Sequence, residues 1–289
     1  MIVDVGANVI PLIKSVYSSL TKAEKKVANV VLNETESILY ASISDFAEMA
    51  GVGDTTVLRF CRKINFKGYQ GFKMAIAQEL AIANTKGIKQ LNDEIYEDDS
   101  LDDIIHKTLI IQDKALNDTV KLLNIENVEK SISAIAKARK NYFYGLGSSG
   151  IIALAAKNKF LRIGINAYAD IDSHIQAMTA SLLSEDDVAV GISFSGSSID
   201  TVKNLEIAKN AGAKIICITH HANSPITRYS DIVLLTGAKE APLQGGDVSA
   251  QIAQLFVISI LYNGVFLKLK NQSIKNKEKT CEAVLDKLY

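Results

Sequence analysis

The sequence predicts a two-part chain of class α + α/β: an all-helical N-terminal domain, then a doubly wound domain with a five-stranded parallel sheet. Three observations lead there. Up to about residue 85 the apolar residues recur at helical spacing. From residue 141 short β-rich runs alternate with helical stretches. Those runs are apolar along their length, as strands covered on both faces are. The domains are expected at 1–85 and 140–289, with a helical connector over 86–139.

In the first domain, Leu20, Ala23, Val27, Val30 and Val31 form one apolar face, opened by Thr21 and Glu24 as a capping box. Ile43, Phe46, Ala47 and Ala50 form a second face, and Val57, Phe60, Cys61 and Ile64 a third, both at offsets 0, 3, 4, 7. Between them "AGVGD" supplies two glycines for a tight turn. That succession reads as a helix-turn-helix, with helix one at about 44–50 and helix two starting near Asp54 and Thr55. A recognition helix reads base edges from its N-terminal turns, which points to Thr55, Thr56 and Arg59. Arg62, Lys63, Lys67 and Lys73 are better placed for phosphates. From Thr55 to Gln78 there are five basic residues and no acidic one, a local charge of 5 − 0 = +5 that fits a nucleic-acid footprint. A solvated basic helix in a small bundle is the plainer alternative.

In the connector, residues 88–113 carry the acidic stretch "NDEIYEDDSLDD", whose Ile, Tyr and Leu positions suit a loosely docked helix. The strand-like runs beyond it are "NYFYGLG", "NAYAD", "DVAVGISFSG", "AKIICITH" and "DIVLLTG". Helical patterns lie between them at about 149–163, 173–184, 198–211 and 224–229, with a long one from 247.

Composition narrows the function classes. Lys+Arg and Asp+Glu balance at 32 each among 289 residues, so the chain is no polycation and any DNA surface is local. Cys61, Cys217 and Cys281 are far apart, match no metal spacing and suit a reducing compartment. No secretory signal is visible, and Asp4 interrupts the start. The uncharged stretch 248–266 is long enough to span a bilayer. Its Ser249, Gln251, Gln254, Ser259 and Asn263 favour a helix buried in a core or subunit interface instead. A soluble, cytoplasmic protein with no membrane partner is expected.

Gly145, Gly147 and Gly150 in "NYFYGLGSSG" spell G-x-G-x-x-G, with Asp170 twenty positions further on, which is the dinucleotide fingerprint. A second loop argues for a smaller anion. "SFSGSS" places Ser193, Ser195, Ser197 and Ser198 around Gly196, also at the opening of a helix. Two strand-to-helix loops rich in hydroxyls and backbone N–H groups suit a phosphate monoester better than a pyrophosphate. Turns and N-caps use serine and glycine anyway, so either loop alone carries little weight.

The pair "GLGSSG" and "SFSGSS", with "DSHIQAMTASLL" between and "KEAPLQGGDVSAQIAQL" after, resembles the sugar isomerase (SIS) domain, a sugar-phosphate-binding module. Together with "TVLRFCRKINFKGYQGFK" it makes nearly the whole chain similar to the RpiR-type transcriptional regulators. The resemblance implies that Ser148, Ser149, Ser193, Ser195 and Ser198 hold a phosphate, and that His174 and Glu240 meet the sugar. Lys239 stands where related regulators usually carry Arg, and is left out of that set. His220 and His221 follow a strand and can line the same rim, but no further ligand spacing supports a metal site. Operator double-stranded DNA, a phosphosugar effector and a second copy of the chain are the expected partners, with no catalytic residue and no cofactor. The 248–267 helix is the candidate for dimer surface. The rival reading is a phosphosugar isomerase or lyase on the same fold, with Glu240 and His174 as acid–base groups.

Overall fold

The computed structural model describes residues 9–84, 95, 96, 98–238 and 248–287. Two compact units divide the chain between Lys107 and Thr108, inside a long helix.

The first unit contains α1 (Val9–Val16), α2 (Lys22–Asn33), α3 (Thr35–Tyr40), α4 (Ile43–Met49), α5 (Asp54–Lys63) and α6 (Tyr69–Asn84). Thr21 and Glu24 form the expected capping box, and Ser42 with Asp45 forms a second one that starts α4. The apolar faces of α2, α4 and α5 close on one core containing Val27, Phe46, Val57, Phe60 and Ile64. Phe72 of α6 sits at its centre. Its ring stacks on Phe46 at 6.3 Å and meets Phe60 and Phe66 edge-on at 5.9 and 5.6 Å.

The second unit is a five-stranded sheet of order β2-β1-β3-β4-β5 with every pair parallel. Its strands are β1 (Asn141–Tyr144), β2 (Ala167–Tyr168), β3 (Val188–Ile192), β4 (Lys214–Thr219) and β5 (Ile232–Leu235). Its helices are α7 (Leu101–Leu122, from Thr108 onward), α8 (Ile125–Lys137), α9 (Ser148–Leu161), α10 (Ser173–Ser181), α11 (Ile199–Asn210), α12 (Val248–Lys268) and α13 (Lys270–Glu282). Alternate residues of each strand feed two cores. Phe143, Val190 and Ile216 join Ile152, Phe160 and Leu261 on one face. Tyr144, Ala189 and Cys217 join Leu205 and Ala208 on the other. Coverage of both faces is why the strands read as unbroken apolar runs. The chain winds from β1 outward to β2, then crosses back to β3 on the other side of β1. The order therefore reverses between β1 and β3, the place where open α/β sheets form their ligand crevice.

Burial resolves two sequence expectations. Helix α12 is long and apolar enough to cross a membrane by length and composition. Its Ala253, Val257, Ile258, Leu261 and Val265 are instead buried in the core of its own chain. Gly264 lets the Ile132 side chain press against its backbone. The inner face of α12 thus belongs to the core of its own chain, and Val248, Leu255 and Leu267 remain exposed. Cys61 and Cys217 are buried free thiols, pushed up to about 12 by burial, and they behave as small hydrophobes.

Asp187 leads into β3 at the N-terminal edge of the sheet. Burial raises its carboxyl pKa, but bonds from Arg139 Nη2 at 2.7 Å and Ser184 N–H at 2.9 Å outweigh this and hold it below the usual range. A carboxyl lowered on folding stabilises above its unfolded pKa of about 3.9 and loses that contribution as pH falls through its folded value. Asp187→Asn is expected to flatten the acid limb of the second unit's stability profile, read as urea midpoints below about pH 4. An unchanged acid limb contradicts this.

Candidate functional site

Everything at the β1/β3 reversal depends on how closely two loops approach. A Cβ on Gly145, just past β1, meets the Ser149 carbonyl oxygen at 2.7 Å and the Ile192 carbonyl oxygen at 3.1 Å. Only a glycine lets the loop after β1 lie backbone-to-backbone against the end of β3. Gly147 follows at φ +55°, and α9 begins at Ser148 with no side chain capping it. The first turn of a helix leaves N–H groups without intrahelical partners, and here they belong to the serine-bearing turn. Ser149 is 8% exposed, and its Oγ accepts from Gln254 Nε2 at 3.4 Å; Ser148 is half-buried.

The loop after β3 runs beside it. The N–H of Ser193 donates to Ile218 O at 3.1 Å, continuing the sheet, and its side chain is 2% exposed. Ser193 Oγ and Ser198 Oγ share a hydrogen bond at 3.2 Å. Ser195 Oγ accepts from the Ser197 N–H at 3.3 Å. Gly196 turns at φ +61° against the side chains of Ser224 and Thr219. Ser198 stands at the N-cap of α11, yet its hydroxyl makes no capping bond. The plain explanation of these serines as helix caps therefore fails at both helix starts. Two helix N-termini, each equivalent to roughly half a positive charge, thus start beside one another past the C-terminal ends of the paired strands β1 and β3.

His174 lies exposed in the first turn of α10, where Asp172 Oδ1 accepts from the N–H groups of His174 and Ile175 at 2.8 and 3.0 Å. No hydrogen bond joins its ring to the serine loops among those described. Glu240 lies outside the described residues. His220 is tied into the fold, with Nδ1 2.7 Å from Thr236 O and its ring stacked on Phe194 at 5.0 Å. Among the described residues no three His, Cys, Asp or Glu side chains gather as a metal site would need. An open depression lined by Glu126, Lys130, Lys214 and Asp231 lies at the opposite, N-terminal ends of β4 and β5. Its charges pair with one another, and it is remote from the serine loops.

Sequence reasoning missed the buried amides here. Gln176 and Asn204 both sit within helices, where one polar residue reads as surface, and only the assembled sheet turns them inward.

In the first unit, α4 and α5 make the helix-turn-helix. Gly51 at φ +59° turns the chain, Val52 N–H closes on Ala47 O at 2.9 Å, and Ser44 Oγ donates to Asp54 Oδ2 at 3.1 Å across the two helices. Thr55, Arg59, Arg62 and Lys67 are exposed and Thr56 is half-buried, while Val57, Phe60 and Cys61 face the core. One expected phosphate contact needs correction. Lys73 is only 7% exposed, and its ammonium donates to Ala41 O at 3.0 Å beneath the Tyr69 ring, which makes it a structural strut. Lys63 stays exposed, and its ammonium donates to Ser19 O at 2.8 Å and Glu24 Oε2 at 2.9 Å, which links α5 to α2. Four of the five basic residues thus remain on the surface, and only Lys73 is buried.

With both sites in view, comparison with known proteins is informative. Residues 7–83 match the model of the helix-turn-helix domain of the rpiR family, and residues 134–264 match that of the SIS domain. A helix-turn-helix-type transcriptional regulator of Haemophilus influenzae is 37% identical over 97% of this chain and 98% of its own. The chain belongs to the RpiR family of transcriptional regulators. The regulator RpiR of Escherichia coli K12 is 29% identical over 95% of this chain and 92% of its own. Among solved structures, Vibrio vulnificus NanR complexed with ManNAc-6P has a TM-score of 0.85 at 24% identity, covering 98% of this chain and all of its own. The sugar isomerase domain of an RpiR transcription factor from Sphaerobacter thermophilus has a TM-score of 0.56 at 20% identity, covering 62% of this chain. This RpiR-family member is a transcriptional regulator that joins a helix-turn-helix to an SIS domain.

Within that family role, the exposed groups of α5 carry a direct expectation. Arg59→Ala is expected to weaken operator binding by about 1–3 kcal/mol, whereas Lys73→Met should lower stability and leave the salt slope of binding unchanged. Fluorescence anisotropy at several salt concentrations checks both. A smaller slope for Lys73→Met would put its ammonium back on the DNA.

Proposed function

We propose that this regulator controls operator affinity through a phosphosugar held between the loops after β1 and β3. Ser148, Ser149, Ser193, Ser195 and Ser198 with the first-turn N–H groups of α9 and α11 bind the phosphate, and His174 and Glu240 meet the sugar. The observation that carries this is the pair of adjacent helix starts whose serines do not cap their own helices. A phosphate monoester presents three oxygens and accepts several short charge-assisted bonds, which is what this crevice supplies. NanR, of like fold, is complexed with ManNAc-6P, a ligand of that chemical class.

Thr55, Thr56 and Arg59 read the major groove, and Arg62 and Lys67 hold phosphates on either side. Paired half-sites call for two copies of the chain, so the working form is a homodimer in the cytoplasm. The SIS unit senses and does not turn its ligand over, in keeping with relatives named as transcriptional regulators.

A thermal-shift panel of phosphosugars tests the reading. A ligand at 100 times its Kd stabilises by about 2.7 kcal/mol, and the Ser149→Ala, Ser193→Ala double variant should lose that shift. No shift with any phosphosugar, or an equal shift in the double variant, would overturn it. Product formation followed by NMR on glucosamine 6-phosphate or fructose 6-phosphate over many turnovers would convert the sensor into an enzyme.

A further inference from the structure

We propose that Gln176 is the positioning residue that sets the distance between the two phosphate-binding loops and ties the sugar-side loop to both. This rests on the phosphosugar reading and goes further by naming what holds its parts in register.

Gln176 lies one turn into α10 and is 0% exposed. Its Nε2 donates to Gly145 O at 2.9 Å and to Asp170 O at 2.7 Å, and its Oε1 accepts from Asn204 Nδ2 at 3.1 Å. Those partners come from three different segments. Gly145 begins the loop that carries Ser148 and Ser149. Asp170 begins the loop that leads to His174. Asn204 sits on α11, the helix opened by Ser198, and is itself 2% exposed. Only one amide orientation satisfies two carbonyl acceptors and one amide donor, so the assignment of nitrogen and oxygen is forced.

Packing alone does not call for an amide here. On the same face of the sheet Ala180, Leu205 and Ala208 bury ordinary apolar contacts. A glutamine adds direct bonds to main-chain carbonyls of the ligand-side loops. Because a peptide unit is planar and trans, holding Gly145 O toward Gln176 turns the Leu146 N–H the opposite way and fixes the entry into the Gly147 turn. With Asn204 as the second anchor, the start of α9 and the body of α11 move as one frame. A phosphate gripped from both loops needs that frame before it arrives, since ordering the loops on binding would weaken affinity.

The test measures inorganic phosphate, the chemistry shared by every phosphosugar, by ³¹P NMR titration of the full-length chain alongside urea unfolding. The variants are Gln176→Leu, Asn204→Ala and Asp187→Asn. The last destabilises the same unit from the far edge of the sheet and serves as the control for a merely structural effect. We expect phosphate binding to weaken about ten-fold or more in Gln176→Leu and severalfold in Asn204→Ala, with Asp187→Asn binding as the wild type does. Should Gln176→Leu fail to fold, Asn204→Ala decides, because it keeps both carbonyl bonds and removes only the tie to α11. Folded variants with wild-type phosphate affinity would overturn the role of Gln176, and so would an equal loss in Asp187→Asn. A wild-type protein that binds no phosphate would remove the phosphosugar reading itself.

Discussion

Phe72→Ala is expected to unfold the helix-turn-helix unit while the SIS unit stays folded. The Phe72 ring is 0% exposed and touches Phe46 of α4, Phe60 of α5 and Phe66 of the segment that follows. Removing such a ring from a core costs about 3–5 kcal/mol, since the lost transfer energy is joined by the cavity left behind. Whole domains are stable by only about 5–15 kcal/mol, so such a loss takes a large share of a small helical unit's stability. Each unit has a hydrophobic core of its own, so the damage should stay local. Operator binding should vanish with an early unfolding transition, and the phosphate-dependent thermal shift of the later transition should persist. Loss of both together would mean that the units do not melt separately.

Gly145→Ala is the second large effect. The added methyl would lie against two main-chain carbonyl oxygens, Ser149 O and Ile192 O, and neither can swing aside as a side-chain tip can. Overpacking of this kind typically costs about 1–3 kcal/mol, and a contact with rigid backbone on both sides should reach the top of that range. The function should suffer more than the stability. Relief requires the loop after β1 to move away from β3, which separates Ser149 from Ser193. Phosphosugar binding should therefore fall by at least about ten-fold, beyond anything the stability loss explains. Calorimetric titration with a phosphosugar chosen from the thermal-shift panel checks it. An unchanged Kd would mean that the two loops do not grip a common ligand.

The two halves of the molecule were legible in the sequence to different depths. The helical faces around Phe46 and Phe60 and the apolar strands could be read because burial on one side or on both leaves a periodic trace. The loops after β1 and β3 were legible through their glycines and serines, whose positions relative to the strand ends follow from parallel topology. Side-chain reach was not legible. Lys73 belongs to a basic run that looks continuous along the chain, but the run turns inward there and its ammonium meets Ala41 O, while the exposed Lys63 reaches across to Glu24. Gln176 gave no signal, because a buried amide and a surface amide are the same letter until the sheet assembles around it. The α12 helix was read as a candidate interface from its lack of charge, and a helix apolar on every side is equally what a core of this size takes in.

The most direct measurement of the central claim is fluorescence anisotropy on an operator duplex selected from random sequence, titrated with wild-type protein and with the Ser149→Ala, Ser193→Ala variant. Each is run alone and with glucosamine 6-phosphate, fructose 6-phosphate and ManNAc-6P at saturating concentration. We expect one phosphosugar to shift the wild-type operator Kd by about 5–150-fold, the usual span of coupling between two sites, and to leave the variant unmoved. A phosphosugar that demonstrably binds yet leaves the operator Kd unchanged would contradict this account, as would an equal shift in the serine variant.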